Sequence, residues 1–276
     1  MKREEKLPNY TAADQMVVSA ARQIKDGDVI FVGTGLPVMA TYLAEYMHAP
    51  NCVTILEVGI IRTSPSELSI SIETLNTQSM SDSLSDLFYV TSLAQHGFIN
   101  LGFLGAGQVD RYGNVNDTVI GDYYNPVYRW LGSGGANDVI SFCKRTIIML
   151  RQSRQRFPEK VDFITCPGYI DGKSGSREAA GLLPDTGPAM VITNLGIYTF
   201  KSREMVLKSI HTGVGVTLDQ VKAEVGWDLK ISSDLEETEP PTREEIHILR
   251  EKVDPNKLYI DGKRTVVVDQ DSSRSS

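Results

Sequence analysis

The residue with the clearest chemical potential is Glu57, which directly follows the apolar run CVTIL at positions 52–56. That run predicts a short buried strand. Ligands of open α/β sheets bind beyond the carboxyl ends of the strands, so we expect this carboxylate at the edge of such a site. Gly59, two residues later, allows close approach of backbone or ligand. A solvated or salt-bridged glutamate is the competing interpretation, and position alone favours it.

A glycine-rich segment at positions 132–137 (GSGGAN) precedes an apolar stretch at 139–142. A glycine loop that opens a helix presents unpaired N–H groups, which can bind a phosphate or stabilise an oxyanion. Alternatively, Ser133 or Asn137 caps the helix and no ligand is involved. The pattern alone leaves both interpretations open.

Two further segments have simpler interpretations. Residues 33–37 (GTGLP) join a predicted strand to a predicted helix, but Val38 breaks the GxGxxG spacing and no Gly-Lys-Ser/Thr follows, which favours a tight packing turn. Residues 108–114 (QVDRYGN) have turn chemistry, and a structural turn is favoured there. Tyrosine and tryptophan cluster with Arg129 just beyond, as in a pocket lining, an interface or buried packing.

The surrounding pattern of strand, loop, helix and strand predicts an α/β fold with a parallel sheet. We expect a helix over 11–26 capped by Thr11, and later helices capped by Thr217 and Thr242. Strands are predicted at 145–150, 161–165 and 189–193, and a hairpin is predicted from 191–200 and 205–211. The domain prediction has an N-terminal extension at 1–10, one domain at 11–262 and a polar, disordered tail at 263–276.

Composition excludes several function classes. The 276 residues include 35 acidic and 28 basic side chains, a net charge of −7, whereas nucleic-acid and membrane-surface binders usually carry a basic patch. The sequence contains no transmembrane-length apolar stretch and no signal peptide pattern. Its three cysteines and four histidines are dispersed, which predicts neither a disulfide framework nor a metal site. We therefore expect a cytoplasmic protein.

The motifs together resemble those of class I CoA-transferases, and within that family the B (beta) subunits of the glutaconate type. The resemblance covers about residues 10–260, and its most specific parts are the segments at 108–116 and 132–137. The matching segments occur in family order at 33–37, 57–59, 108–116, 120–123, 132–137, 166–172 and 191–196. One residue departs from the pattern, because Val58 stands where the family has Ser or Asn.

The resemblance implies a fold of the NagB/RpiA-like kind, with an open, mostly parallel sheet flanked by helices. It implies a ping-pong transfer of CoA between carboxylic acids, in which Glu57 forms a glutamyl-CoA thioester. Coenzyme A thioester is then a substrate, with no permanently bound cofactor and no metal. The implied oxyanion and CoA-binding residues are Gly134, Gly135, Ala136 and Asn137, and the implied substrate loop comprises Gly33, Gly35 and Gln108.

The resemblance also implies an active site between two subunits of similar fold, so we expect a separate A (alpha) subunit as partner. The acids stay open among glutaconate, a branched or methylated dicarboxylate and an aromatic-pathway acid. Arg62 and Arg129 either pair with a distal carboxylate or lie on the surface. The alternatives are an acyl-CoA hydrolase or C–C bond-cleaving enzyme of the same family, and a non-catalytic CoA or sugar-phosphate binding module.

Overall fold

The structure is a computed structural model that describes residues 9–62, 68, 71 and 74–260. The tail predicted at 263–276 and most of the extension predicted at 1–10 lie outside the described residues. Within the described part, no helix is long and apolar enough to cross a bilayer.

The described residues alternate between strands and helices. The helices are α1 Ala12–Ala21, α2 Leu36–Met47, α3 Leu75–Gln78, α4 Leu87–Gln95, α5 Ala136–Phe142, α6 Ser176–Ala179, α7 Leu218–Ala223 and α8 Arg243–Ile248, with a 3₁₀ turn at Thr212–Val214 and a π turn at Leu249–Val253. The strands are β1 Val29–Val32, β2 Val53–Leu56, β3 Ile60–Ile61, β4 Ser83–Leu84, β5 Leu101–Leu104, β6 Gln108–Val109, β7 Val115–Asn116, β8 Val119–Gly121, β9 Pro126–Arg129, β10 Arg145–Met149, β11 Pro188–Ile192, β12 Gly196–Lys201, β13 Glu204–Ile210 and β14 Lys230–Glu237.

One ten-stranded sheet organises the described chain, in the order β14-β13-β12-β11-β10-β5-β1-β2-β3-β4. The central strands β11, β10, β5, β1 and β2 pair in parallel. Antiparallel pairs flank them on both sides, at β2–β3–β4 and at β11–β12–β13. Two small hairpins, β6–β7 and β8–β9, stand apart from the main sheet. The prediction of an open, mostly parallel sheet flanked by helices is confirmed.

Apolar side chains cover both faces of the sheet, as expected for parallel strands buried between helices. Along β1, Ile30 and Val32 pack into the cluster formed with α1 and α2, whereas Phe31 joins the cluster formed with α4 and α5. Along β10, Ile147 and Ile148 divide in the same way. Because successive side chains of a strand point to opposite faces, each strand contributes to both halves of the core.

The three predicted helix caps are confirmed. Thr11 accepts the backbone N–H of Asp14 at the start of α1, and Thr217 and Thr242 cap α7 and α8 in the same way. The predicted end of the first helix at residue 26 is wrong, because α1 ends at Ala21. After α1, the Gln23 N–H donates to the Ala20 carbonyl, which is only three residues earlier, so the chain forms a tighter turn there.

One predicted strand does not exist, and another is divided into two strands. Residues 161–165 form no strand, since their backbone bonds go to β7 and to the Gln108 side chain. The strand predicted over 191–200 is two strands, β11 and β12, with Thr193 at the break. The Thr193 hydroxyl accepts the N–H groups of Leu195 and Gly196 at 3.0 Å each, which forms a tight turn. The β12–β13 hairpin itself is confirmed.

Candidate active site

Glu57 lies in the tight turn that joins β2 to β3 at the carboxyl edge of the sheet. Leu56 pairs with Ile60 across this turn, and the Gly59 N–H donates to the Leu56 carbonyl at 2.9 Å. Gly59 has φ of +98°, and a Cβ there would lie 2.5 Å from the backbone before α4, so only glycine fits. Val58 packs against the core cluster of α1 and α2. The turn therefore has a fixed shape, and it leaves the Glu57 side chain half-buried at the sheet edge.

The Glu57 carboxylate contacts the glycine-rich loop predicted from the sequence. Its Oε1 accepts the backbone N–H of Gly135 at 2.7 Å. A Cβ on Gly134 or Gly135 would lie 3.1 or 3.2 Å from that oxygen, so the loop backbone approaches the carboxylate closely because it carries no side chain there. Among the described residues no hydrogen bond reaches Glu57 Oε2. One carboxylate oxygen is thus held, and the other is available to react.

The ends of this loop have separate attachments. The Gly132 N–H donates to the Asp117 carbonyl at 3.1 Å, and the Asn137 side-chain amide donates to the Thr165 carbonyl at 2.7 Å. Ala136 begins α5, and the cap position belongs to Gly135, with no side-chain cap. The interpretation of Ser133 or Asn137 as a helix cap is therefore wrong. Asn137 holds the loop against residue 165 and does not reach Glu57 itself.

The remaining predicted site residues divide between the sheet edge and the interior. Val32 of β1 pairs with Leu56 of β2, so Gly33 and Glu57 begin neighbouring loops at the same edge. Gly35, with φ of +91°, precedes the first residue of α2. Gln108 is buried, and its amide bonds to Asn116, Asp162 and the Gln155 carbonyl. Its role in a substrate loop stays a prediction.

The two arginines considered for a distal carboxylate are engaged locally. Arg62 lies 3.6 Å from Asp82 and also donates to the Pro50 carbonyl. Arg129 stacks 4.9 Å above the centre of the Tyr123 ring and donates to the Tyr123 carbonyl. Among the described residues, no arginine side chain forms an ion pair or a hydrogen bond with the Glu57 carboxylate.

Exposed apolar side chains lie on both sides of this site. Phe88 is 82% exposed and Tyr124 is 91% exposed, values that are unusual for aromatic residues of a folded chain. On one side they flank Ser85 and Asp86, which pack on Gly59, and on the other they lie in the β8–β9 hairpin and just before the glycine loop. We call this set the apolar rim: Leu84, Leu87, Phe88, Tyr124, Val127 and Leu131. Sequence reasoning identified only the aromatic cluster of the hairpin.

The described residues contain no group of three or more His, Cys, Asp and Glu side chains suited to a metal ion. The site consists instead of one carboxylate, one backbone donor and a surrounding of glycine and apolar residues. A carboxylate next to a fixed N–H can act as a nucleophile whose intermediate charge meets a donor already in place.

Comparison with known proteins identifies the family of this arrangement. The sequence profile described as coenzyme A transferase matches residues 14–224. The chain belongs to this family. It is 36% identical to the B subunit of glutaconate CoA-transferase from Acidaminococcus fermentans over 259 residues, covering 91% of this chain and 96% of that protein. It is also 39% identical to the B subunit of 3-oxoadipate CoA-transferase from Pseudomonas knackmussii over 246 residues, covering 87% of this chain and 92% of that protein.

The structural comparison agrees with the sequence comparison. The crystal structure of glutaconate coenzyme A-transferase from Acidaminococcus fermentans matches with a TM-score of 0.87 and 35% identity, covering 93% of this chain and 100% of that chain. The resemblance to CoA-transferases predicted from the motifs is confirmed, as is the fold. The two relatives named above act on different acids according to their names, so the family does not by itself identify the substrate.

Proposed function

We propose that this chain is the nucleophile-bearing B subunit of an enzyme that transfers CoA between carboxylic acids, with dicarboxylates of the glutaconate or 3-oxoadipate kind as substrates. The observation that carries this proposal is the state of the Glu57 carboxylate. Oε1 is held by Gly135, whereas Oε2 has no hydrogen-bond partner among the described residues. The names of the two relatives support the class of substrate.

The first half-reaction begins at Oε2. This oxygen attacks the thioester carbonyl carbon of an acyl-CoA, the C–S bond breaks, and CoA leaves as the thiolate. The product is a mixed anhydride between Glu57 and the acyl group. A carboxylate suits this chemistry better than a serine hydroxyl, because an anhydride keeps the energy of the thioester and an ester does not.

The second step moves CoA onto the protein. The thiolate attacks the Glu57 Cδ, and negative charge develops on Oε1, where the Gly135 N–H is already hydrogen-bonded. The Cδ–Oε2 bond then breaks, so the first acid leaves with that oxygen and Glu57 becomes a CoA thioester. A second acid reverses both steps. A preformed donor of this type contributes about 10²–10³ in rate.

The apolar rim supports an A-type subunit as the partner. Large apolar side chains concentrated at the surface mark a binding region. Here they flank a carboxylate whose thioester must be protected from water, and a covering subunit provides that protection. Both relatives are named as B subunits.

The three cysteines are free and buried, which fits the cytoplasmic location that we propose.

The covalent step is tested by trapping it. The complex of this chain with an A-type subunit is incubated with glutaryl-CoA, treated with hydroxylamine or borohydride, digested and analysed by mass spectrometry. We expect a hydroxamate or an alcohol at Glu57, and no modification in a sample without acyl-CoA. Turnover without any adduct at Glu57 would refute the covalent route.

The same preparation separates transfer from hydrolysis. Glutaconate, 3-oxoadipate and acetate are offered as acceptors, and both free CoA and the new acyl-CoA are measured. We expect new acyl-CoA to appear in step with loss of the donor. Release of free CoA at a rate independent of the acceptor would instead identify a hydrolase of the same family. Binding of acyl-CoA without turnover would identify a binding module.

A further inference from the structure

A second carboxylate, that of Asp117, lies behind the glycine-rich loop and takes no part in the steps above. Its Oδ1 accepts the backbone N–H of Gly107 at 2.6 Å. Gly107 belongs to the loop after β5, and a Cβ on it would lie 2.6 Å from the Trp130 ring. Asp117 thus holds the loop after β5 closely against the end of the β8–β9 hairpin.

The backbone of Asp117 connects this contact to both ends of the glycine-rich loop. Its carbonyl accepts the Gly132 N–H at the first residue of the loop. Its own N–H donates to the Thr165 hydroxyl at 2.8 Å, and the Thr165 carbonyl accepts the Asn137 amide at the far end of the loop. The Gly135 donor lies between these two attachments.

We propose that Asp117 is a positioning residue: its backbone connects to both ends of the glycine-rich loop, and its ionised carboxylate fixes that backbone by accepting the Gly107 N–H, which keeps the Gly135 N–H against Glu57. This inference rests on the proposed function of Glu57, and it adds that Asp117 controls the position of the Gly135 N–H donor. A hydrogen bond from an N–H to a charged carboxylate is about twice as strong as one to a neutral acid. Protonation of Asp117 therefore loosens the attachment without breaking it.

The surroundings of Asp117 place the protonation of its carboxylate near pH 6. Burial raises the pKa of Asp117 to about 6, although the Gly107 hydrogen bond and the positive charge of Arg156 both favour the ionised form. Among the described residues, the Cys166 thiol also interacts with Asp117; burial raises the pKa of this thiol, so it stays protonated. We expect kcat to fall as pH decreases through about 6, as Asp117 takes up a proton.

The main test compares kcat and KM of wild type and Asp117→Asn between pH 5 and 8 in the complex with an A-type subunit. Asparagine keeps the shape and a neutral acceptor for Gly107, so it mimics the protonated state at every pH. We expect kcat of the variant to be about 3–10-fold lower than that of wild type at pH 7.5, with the KM for acyl-CoA within about twofold. The decrease in kcat below about pH 6, which we call the acidic limb, should be absent from the variant. An unchanged acidic limb in this variant would overturn the proposal.

A second pair of variants separates positioning from general structural damage. Thr165→Val removes the hydroxyl that holds the Asp117 N–H, whereas Thr165→Ser keeps it. We expect Thr165→Val to lower kcat while keeping the acidic limb, and Thr165→Ser to restore wild-type kcat. The matched control is Asp110→Asn, another buried carboxylate on the same stretch of chain, which should keep the limb. Equal kcat in the valine and serine variants would also overturn the proposal.

A measurement without turnover makes the outcome independent of the proposed function. Hydrogen–deuterium exchange is followed in peptides covering 105–109 and 132–137 at pH 7.5. We expect faster exchange in both peptides of Asp117→Asn, and no change in Asp110→Asn at the glycine loop. Faster exchange in a complex that transfers no CoA would refute the proposed function alone. Unchanged exchange would refute the role of Asp117.

Discussion

Two tight turns of this chain each contain a carboxylate, and they differ in how completely it is hydrogen-bonded. Asp110 is 2% exposed and accepts the N–H groups of Tyr112 and Asn114 as well as the Asn114 side-chain amide. Glu57 is half-buried and accepts a single N–H from Gly135. A saturated carboxylate stabilises the fold, whereas one with a free oxygen remains a nucleophile.

The Asp110 turn belongs to a larger buried polar cluster. The Asn114 side-chain oxygen accepts the N–H groups of Gly168 and Ile170, and a Cβ on Gly168 would lie 2.3 Å from the backbone of Gly113. The segments at 108–116 and 166–172 are therefore packed together by backbone contact. The segment at 108–116, one of the two most specific parts of the resemblance to CoA-transferases, therefore belongs to the scaffold, whereas the other, at 132–137, contacts the proposed nucleophile Glu57.

The largest expected effect of any substitution is on catalysis at Glu57. Glu57→Gln keeps an acceptor for the Gly135 N–H but removes the nucleophilic oxygen, so we expect transferase activity to fall at least about 10⁴-fold. Thermal unfolding should stay within a few degrees of wild type. Initial rates and calorimetry measure both, with Glu159→Gln, an exposed glutamate, as the control. A variant that keeps a tenth of the activity would contradict the contrast between the two turns.

Asp110→Ala should give the opposite result. It leaves the N–H donors of Tyr112 and Asn114 buried without their acceptor, so we expect the free energy of unfolding to fall by about 3 kcal/mol. Activity per folded complex should change less than about twofold. Urea unfolding and active-site titration measure the two quantities. Asp171→Ala, which removes an exposed carboxylate from another turn, should unfold like wild type.

Gly135→Ala tests the spacing around the nucleophile. Its φ of −79° suits any residue, so the backbone tolerates alanine. The new Cβ would lie 3.2 Å from Glu57 Oε1 and displace the carboxylate by a few tenths of an ångström. We expect kcat to fall about 10–100-fold, since positioning errors of this size are costly, with no loss of stability. Unchanged kcat would show that this contact is not used in the reaction.

The smallest effect concerns Asp117 and the dependence of stability on pH. Because burial raises its pKa to about 6, the folded chain binds this proton more tightly than the unfolded chain does. The free energy of unfolding therefore decreases as pH rises from about 4 to about 6. Asp117→Asn should lack that part of the slope in urea unfolding at a series of pH values. If the free energy of unfolding had the same dependence on pH in both proteins, the pKa of Asp117 would not be raised to about 6.

Local patterns predicted the parts of the fold that depend on neighbouring residues. The caps at Thr11, Thr217 and Thr242 need only a hydroxyl and a residue three positions later, so the sequence contains all the required information. Glu57 was predicted at a strand end for the same reason. The turn at Thr193 was missed because Val191 and Ile192 before it and Ile197 and Tyr198 after it all suit a strand, and the Thr193 hydroxyl that forms the turn has no local signal of its own.

Contacts between distant segments could not be predicted locally. The hydrogen bond between Glu57 and Gly135 joins residues 78 positions apart, and only the resemblance to a family suggested it. The strand β3 has two residues and no periodicity to detect. The connection from Asp117 through Thr165 to the glycine loop has no sequence signal at all, because each of its bonds uses a backbone group that nearly every residue has.

The apolar rim has a consequence for the life of this chain in the cell. In the complex proposed above an A-type subunit covers the rim, so a newly made chain without that partner would expose Phe88, Tyr124 and Leu131 to chaperones, to proteases and to other copies of itself. Partner binding then shifts the balance toward the intact folded chain. The abundance of this protein would accordingly follow the supply of its partner, and unpaired copies would be removed before they could accumulate.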